Sequence, residues 1–233
     1  MLVAAAVCPC PPLLVPEVAA GAAPELDAAR AACADALGVL AAARPDRLLV
    51  IGPAERGGRH PQGTRGSFQG FGVDLDLTLG RGDAPGPELP ASLAVAAWLL
   101  ERTGWTDVPV EGVAVDAGLP AVRCAALGAE ISAGNDRLAL LVMGDGSASR
   151  TLKAPGYLDD RAAPFDAEAA RALGTAELAA LAALDAGLAR ELQSSGRASW
   201  QVLAAAAEGA GLDGTLLYDE APYGVGYFVA AWS

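Results

Sequence analysis

Leu48-Leu49-Val50-Ile51 is an unbroken apolar run, preceded by Arg44-Pro45-Asp46 and followed by Gly52. It is too short for a helix and has no polar alternate position, as expected of a strand buried on both faces of a parallel sheet. Upstream, Pro24 opens a stretch in which Leu26, Ala29, Cys33, Leu37 and Leu40 recur every three or four residues, the spacing of one apolar helical face. Before it, Leu2-Val3-Ala4-Ala5-Ala6-Val7 is a second short apolar run, closed by Cys8-Pro9-Cys10-Pro11-Pro12. Strand, helix and strand in that order predict two parallel strands joined by a crossover helix.

Downstream the alternation continues. Gly52 to Gly72 is rich in glycine and polar residues and reads as a long loop, either mobile or functional. Val73, Leu75, Leu77 and Leu79 alternate with Asp74, Asp76 and Thr78, the pattern of a strand with one wet face near a sheet edge. A helix from about Ala91 to Thr103, a strand through Val108–Val115, a helix after Pro120 and a strand at Leu138–Met143 follow. Asp166, Thr175 and Ser199 precede alanine- and leucine-rich segments as expected N-caps, and the runs Thr215–Tyr218 and Val225–Trp232 close the sheet. The expected fold is α/β, a single three-layer domain over residues 1–233 with a central mixed, mostly parallel sheet flanked by helices.

Composition narrows the functional classes. Hydrophobic residues are 53% of the chain against 19% charged, a balance that excludes disorder. The formal charge of -12 repels nucleic-acid phosphates and anionic membranes, and no lysine or arginine run offers a local exception. The first apolar run stops at prolines after Val7, and no apolar stretch reaches the roughly 18 residues of a membrane span. A cytoplasmic protein with reduced thiols is therefore expected, with Cys33 and Cys124 as small core residues on helices. A phosphate-binding G-x-x-x-x-G-K loop, a G-x-S-x-G elbow and zinc-finger spacing are all absent from the sequence.

The chemistry is expected where the first strand ends, because open α/β sheets place ligands at the carboxyl edge of their strands. Cys10 there can serve as a metal thiolate, a redox thiol or a small buried residue, and Cys8 is its neighbour in the same loop. Asp145 and Ser147, in Gly144-Asp145-Gly146-Ser147 after a buried strand, point to the same edge either as ligand groups or as loop caps. His60 sits in a polar loop, either solvated or folded back toward Cys10, and Arg56, Arg59 and Arg65 of that loop can bind a carboxylate or phosphate or stay solvated. Tyr223 and Tyr227 line a pocket or pack the last strand.

Three segments together, Cys8-Pro9-Cys10-Pro11-Pro12-Leu13-Leu14-Val15-Pro16-Glu17, Met143-Gly144-Asp145-Gly146-Ser147 and Ala221-Pro222-Tyr223-Gly224-Val225-Gly226-Tyr227, carry a family likeness. In order and spacing the chain resembles the class III extradiol ring-cleavage dioxygenase family, whose superfamily includes the Memo proteins. The resemblance implies a non-haem ferrous site. Its first ligand, a histidine after the first strand, is replaced here by Cys10. Its second, a histidine after the second strand, has no counterpart in Ile51-Gly52-Pro53-Ala54-Glu55, where Glu55 is the nearest donor and His60 follows in the loop. The late acidic ligand falls near Asp219 and Glu220, and the catalytic histidine position reads Gly146-Ser147-Ala148.

A ferrous oxygenase presents two imidazoles and one carboxylate, and this chain has one histidine. The resemblance thus implies a divergent member without ordinary ring cleavage, retaining a cleft for a small molecule or partner. The alternatives are an oxidoreductase using iron, zinc or copper on Cys10, Glu55, His60 and Glu220, or a thiol enzyme. A dioxygenase completed by a partner subunit in a homo-oligomer is the remaining one.

Overall fold

A computed structural model describes residues 1–105 and 108–233. In chain order the elements are β1 (Leu2–Cys8), α1 (Pro16–Ala19), α2 (Asp27–Ala42), β2 (Arg47–Ala54), β3 (Gly58–His60), β4 (Arg65–Ser67), β5 (Asp76–Thr78) and α3 (Ala91–Arg102). They continue as β6 (Val110–Asp116), α4 (Ala121–Ser132), β7 (Leu138–Met143), α5 (Ala162–Gly174), α6 (Leu178–Ala182), α7 (Ala186–Glu191), α8 (Arg197–Ala206), β8 (Gly214–Glu220) and β9 (Tyr227–Trp232). Seven strands form one sheet in the order β3-β6-β2-β7-β1-β9-β8. The four central strands are parallel, while β3 pairs antiparallel with β6 on one flank and β9 pairs antiparallel with both β1 and β8 on the other. The expected mixed α/β sheet, parallel in its core and flanked by helices, is the fold observed.

The unbroken apolar runs are explained by burial on both faces. Ala4, Ala6 and Cys8 of β1 join Val50, Leu141 and Val229 against α2 and α3, whereas Ala5 and Val7 join Leu49, Ile51, Val142 and Trp232 against α4, α5 and α8. Alternate residues of one strand thus feed opposite layers. Burying a leucine or valine stabilises by about 1.5–3 kcal/mol, so these registers exclude polar side chains. On α2 the buried set Ala29, Cys33, Leu37 and Leu40 matches the sequence period. That helix stops where Arg44 turns to a φ of 47° and Pro45 removes the next donor. All four cysteines are free and buried, Cys33 on α2 and Cys124 on α4. Among the described residues no helix is long and apolar enough to cross a membrane.

Three sequence expectations are corrected. The stretch Gly52–Gly72 is not one open loop: β3 within it is the sheet's edge strand, and β4 pairs with β5 in a separate two-stranded ribbon. The alternation at Val73–Leu79 therefore marks a ribbon, not an edge of the main sheet, because Leu77 and Leu79 are buried in the same apolar cluster as Leu93 of α3. Of the expected N-caps, Asp166 lies inside α5, Thr175 follows that helix's end, and Ser199 lies inside α8 with its hydroxyl buried and without a hydrogen-bond partner among the described residues. The cap seen is Asp185, whose Oδ1 accepts the Leu188 N–H at 2.6 Å at the start of α7.

Helices α4 and α8 cross without a side chain between them at Gly128, where a Cβ would stand 2.4 Å from the Val202 carbonyl oxygen and 2.7 Å from Ala205 Cβ. Beside them the guanidinium of Arg197, 1% exposed, donates to the carbonyls of Ala117 and Leu119, each at 2.6 Å, and to Gln201 Oε1 at 3.0 Å. The carbonyls of the β6–α4 connection thus hold a buried cation. In an open helix, replacing glycine with alanine stabilises by roughly 0.5–1 kcal/mol. Here Gly128→Ala is expected to destabilise by about 1–3 kcal/mol in urea unfolding, because the helices must separate. A stabilised variant would refute this account of the crossing.

Candidate functional site at the carboxyl edge

Prolines 9, 11 and 12 end β1 because they cannot donate to a ladder, and the chain turns at once, with Leu14 N–H donating to Pro11 O at 2.9 Å and Val15 N–H to Pro12 O at 3.0 Å. Parallel pairing sets Cys8 opposite Met143, so the loop after β7 emerges beside the Cys8–Cys10 turn. Gly144 N–H donates to Cys8 O at 3.0 Å, and Cys10 N–H donates to Asp145 Oδ1 at 2.8 Å. A Cβ on Gly144 would stand 2.3 Å from Gly196 Cα, so a glycine is required for the two backbones to meet.

That contact brings in Ser194 and Ser195. Asp145 N–H donates to Ser195 Oγ at 3.1 Å, while its carbonyl accepts from Gly196 N–H at 2.9 Å and Ser194 Oγ at 3.2 Å. Burial pushes the Asp145 carboxyl up to about 7, the Cys10 N–H opposing. Tyr227, buried at the start of β9, has its phenol raised well above the usual range by burial and then by the Asp145 charge. Cys10 is 7% exposed, and its thiol is raised by burial and then by Asp145. The Cys8 thiol is raised first by its hydrogen bond with Cys33 and then by burial. Both are thiols near neutral pH, without the low pKa of a reactive cysteine.

Ser147 is taken up by Asp166 of α5. It is buried, with its N–H donating to Asp166 Oδ1 and its hydroxyl to Oδ2, each at 2.7 Å, and Arg150 Nη1 reaching Oδ2 at 3.0 Å. Gly146 N–H donates to Gly226 O at 2.7 Å and Gly226 N–H to Ser147 O at 2.9 Å, joining the loop after β7 to the loop before β9. Burial raises the Asp166 carboxyl against the pull of Ser147 and Arg150. Tyr223 is half-buried with its hydroxyl oxygen enclosed, and its phenol is raised by burial and then by Glu25.

The other candidates are dispersed. Glu220 is exposed at the end of β8, two strands from β1, and accepts from Tyr218 Oη at 3.4 Å. Its exposed neighbour Asp219 is raised by burial, with Arg150 opposing. Glu55 is exposed just beyond β2. His60 is neither solvated nor near Cys10: it sits on β3 opposite Gly112, 7% exposed. Four strand intervals separate β3 from β1, about 19 Å at ~4.8 Å each. Glu55 and His60 instead line a cleft of about 790 Å³ with the first residues of α3, a cleft that Cys10 and Asp145 do not line.

The set Cys10, Glu55, His60 and Glu220 therefore does not fit one metal ion. Among the described residues no three histidine, cysteine, aspartate or glutamate side chains are grouped to hold one. What the edge does offer is a carboxyl that burial raises to about 7, beside the buried phenol of Tyr227, suited to acid–base contact with a polar group. Asp145 was legible from its strand end. Ser194, Ser195 and the Asp166 clamp were not, since Ser194-Ser195-Gly196 reads only as a turn.

No family model matches the chain, and no curated protein matches it. Its fold is similar to that in the crystal structure of uncharacterized protein JW3007 from Escherichia coli K12, with a TM-score of 0.61, 13% sequence identity and coverage of 99% of both chains.

Two measurements check the electrostatics of this edge. Asp145 keeps its proton in the folded protein up to about pH 7, but in the unfolded chain only to about 3.8. Its contribution to stability is thus complete below the lower value and lost as pH rises through about 7. Asp145→Asn keeps the acceptor for Cys10 N–H and is expected to flatten the fall in stability across that window, so an unchanged slope would contradict the assignment. Native-state alkylation at pH 7 is expected to leave Cys8 and Cys10 unmodified, as read by peptide mass spectrometry, and rapid labelling of Cys10 would contradict its burial.

Proposed function

We propose that this protein is a divergent relative of the class III extradiol dioxygenases that binds a small hydroxylated molecule at the edge formed by the carboxyl ends of β1 and β7 and the start of β9, and does not perform iron-dependent ring cleavage. The observation that carries this reading is Asp145, anchored through Oδ1 to the Cys10 N–H at 2.8 Å and poised to gain or lose a proton near pH 7. A neutral carboxyl donates to a ligand oxygen and an ionised one accepts from a hydroxyl, so one residue serves a phenol or alcohol in either state. Ser195 and the carbonyl contacts of Asp145 hold it in place, and Tyr227 supplies a buried aromatic wall.

The separation of the candidate donors supports the negative half of the proposal. Two imidazoles and a carboxylate are the donor set that ferrous oxygenases use, and here the donors stand on or beside β1, β2, β3 and β8. A redox or metal role for Cys10 has less support, because a thiol raised by burial is a poor nucleophile and a poor ligand at neutral pH.

Metal-free protein is expected to bind catechol in calorimetry, with Asp145→Ala weakening it about tenfold, the effect of losing a charge-assisted hydrogen bond. Anaerobic loading with ferrous iron is expected to leave no stoichiometric metal after desalting and no ring-opened catechol. Tight iron with catechol cleavage would sink the reading, as would wild-type protein that does not bind catechol. Stoichiometric metal lost in Cys10→Ala would favour the thiolate alternative.

A further inference from the structure

We infer that the cleft between the carboxyl end of β2, the edge strand β3 and the first turn of α3 is a second binding site, taking a small organic acid through its carboxylate. Its volume of about 790 Å³ suits a small molecule, whose sites span roughly 300–1,000 Å³. It does not depend on the reading of Asp145, which lines no part of it.

Donors from separate elements meet there. Helix α3 starts after Pro90 with no side-chain cap, so its first-turn N–H groups and the positive end of its dipole face the cleft that Pro90, Ala91 and Ser92 line. Ser92 does not cap them; its hydroxyl donates to Pro53 O at 2.6 Å and fixes the helix start against the end of β2. A Cβ on Gly52 would stand 2.6 Å from Ser92 Oγ, so this close approach depends on glycine.

Arg56, exposed at the rim, makes no ion pair among the described residues. The neighbouring arginines are committed, Arg59 to Glu111 and Glu130 and Arg65 to Asp83. His60 lines the same cleft at 7% exposure, and its imidazole makes no hydrogen bond among the described residues. Its ring nitrogens are not among the fully enclosed unpartnered atoms, so they keep a path to solvent through the cleft, where a ligand can take the place of water. Burial lowers the pKa of His60, so the neutral ring offers one donor and one acceptor.

Charge decides between classes of anion. Glu55 and Glu88 also line the rim and repel a multiply charged ligand. A single carboxylate on Arg56 and the α3 N-terminus, with a hydroxyl on His60, satisfies the donors with less repulsion than a phosphate ester does.

His60 is the chain's one histidine, so its imidazole C–H signals report on the cleft without assignment by mutagenesis. Titration of the full chain with glycolate, 4-hydroxybenzoate and inorganic phosphate, followed by proton NMR, is expected to move those signals saturably with a hydroxy acid. Phosphate is expected to bind at least tenfold more weakly, and Arg56→Gln to weaken the acid about tenfold. Arg56 is exposed, so that variant leaves the fold intact, and His60→Gln, read by ligand line broadening, is expected to weaken binding as well. His60 signals that stay still with every probe would overturn the site, as would affinity untouched by both substitutions. Phosphate binding as tightly as the acids would overturn the carboxylate assignment.

Discussion

Burial of β1 on both faces is the constraint on which the rest of the molecule depends. A strand covered by helices above and below must carry small apolar side chains throughout, and β1 does so up to Cys8. It must also end abruptly, because a polar turn cannot stay inside the layers, and the prolines after Cys8 impose that end. With β7 parallel on one side and β9 antiparallel on the other, the segments after Cys8, after Met143 and before Tyr227 converge at one edge. Asp145 is desolvated there because the strand ladder delivers it there. Its shifted proton affinity is a consequence of topology.

The rigidity of that edge comes from anchors on both sides of the loop after β7. Asp166 takes two bonds from Ser147 and one from Arg150, so the loop after β7 cannot move away from α5. On the opposite side of the loop, Gly144 and Gly196 touch backbone to backbone. A carboxylate held between two such anchors cannot relax outward to recover solvation, and a preorganised site requires that property. Satisfied buried networks of this kind specify one arrangement, whereas half-satisfied ones cost stability.

Much of the fold was legible because burial on both faces leaves a mark in local sequence. Leu48–Ile51 and Leu138–Met143 could be read directly as strands, and the three- and four-residue spacing from Leu26 to Leu40 marked the face of α2. Three-residue strands leave no such mark, so β3 and β4 look like loop in the sequence. Alternation at Leu75–Leu79 reports which side chains are covered and is silent on which strand pairs with them. An aspartate ahead of alanines looks the same as an N-cap and as the buried clamp that Asp166 is. At the site, the proximity of Asp145 to Cys10 followed from strand ends. The distance of His60 from Cys10 did not, because it is set by the pairing of β3 with β6, a contact between residues far apart in the chain.

The two margins of the sheet have a bearing on colloidal behaviour. Each ends in a strand that is a poor template for a further one. β3 offers only Gly58 to His60, and its Arg59 is tied to Glu111 and Glu130. β8 exposes Leu216 and Leu217, but its register shifts between Leu216 and Tyr218, and it ends in Asp219 and Glu220. A shortened edge and a bulged, acidic one deny incoming chains a long straight row of unpaired backbone groups. A highly apolar chain with a formal charge of -12 therefore limits fibrillar growth at both ends of its sheet by geometry and by charge.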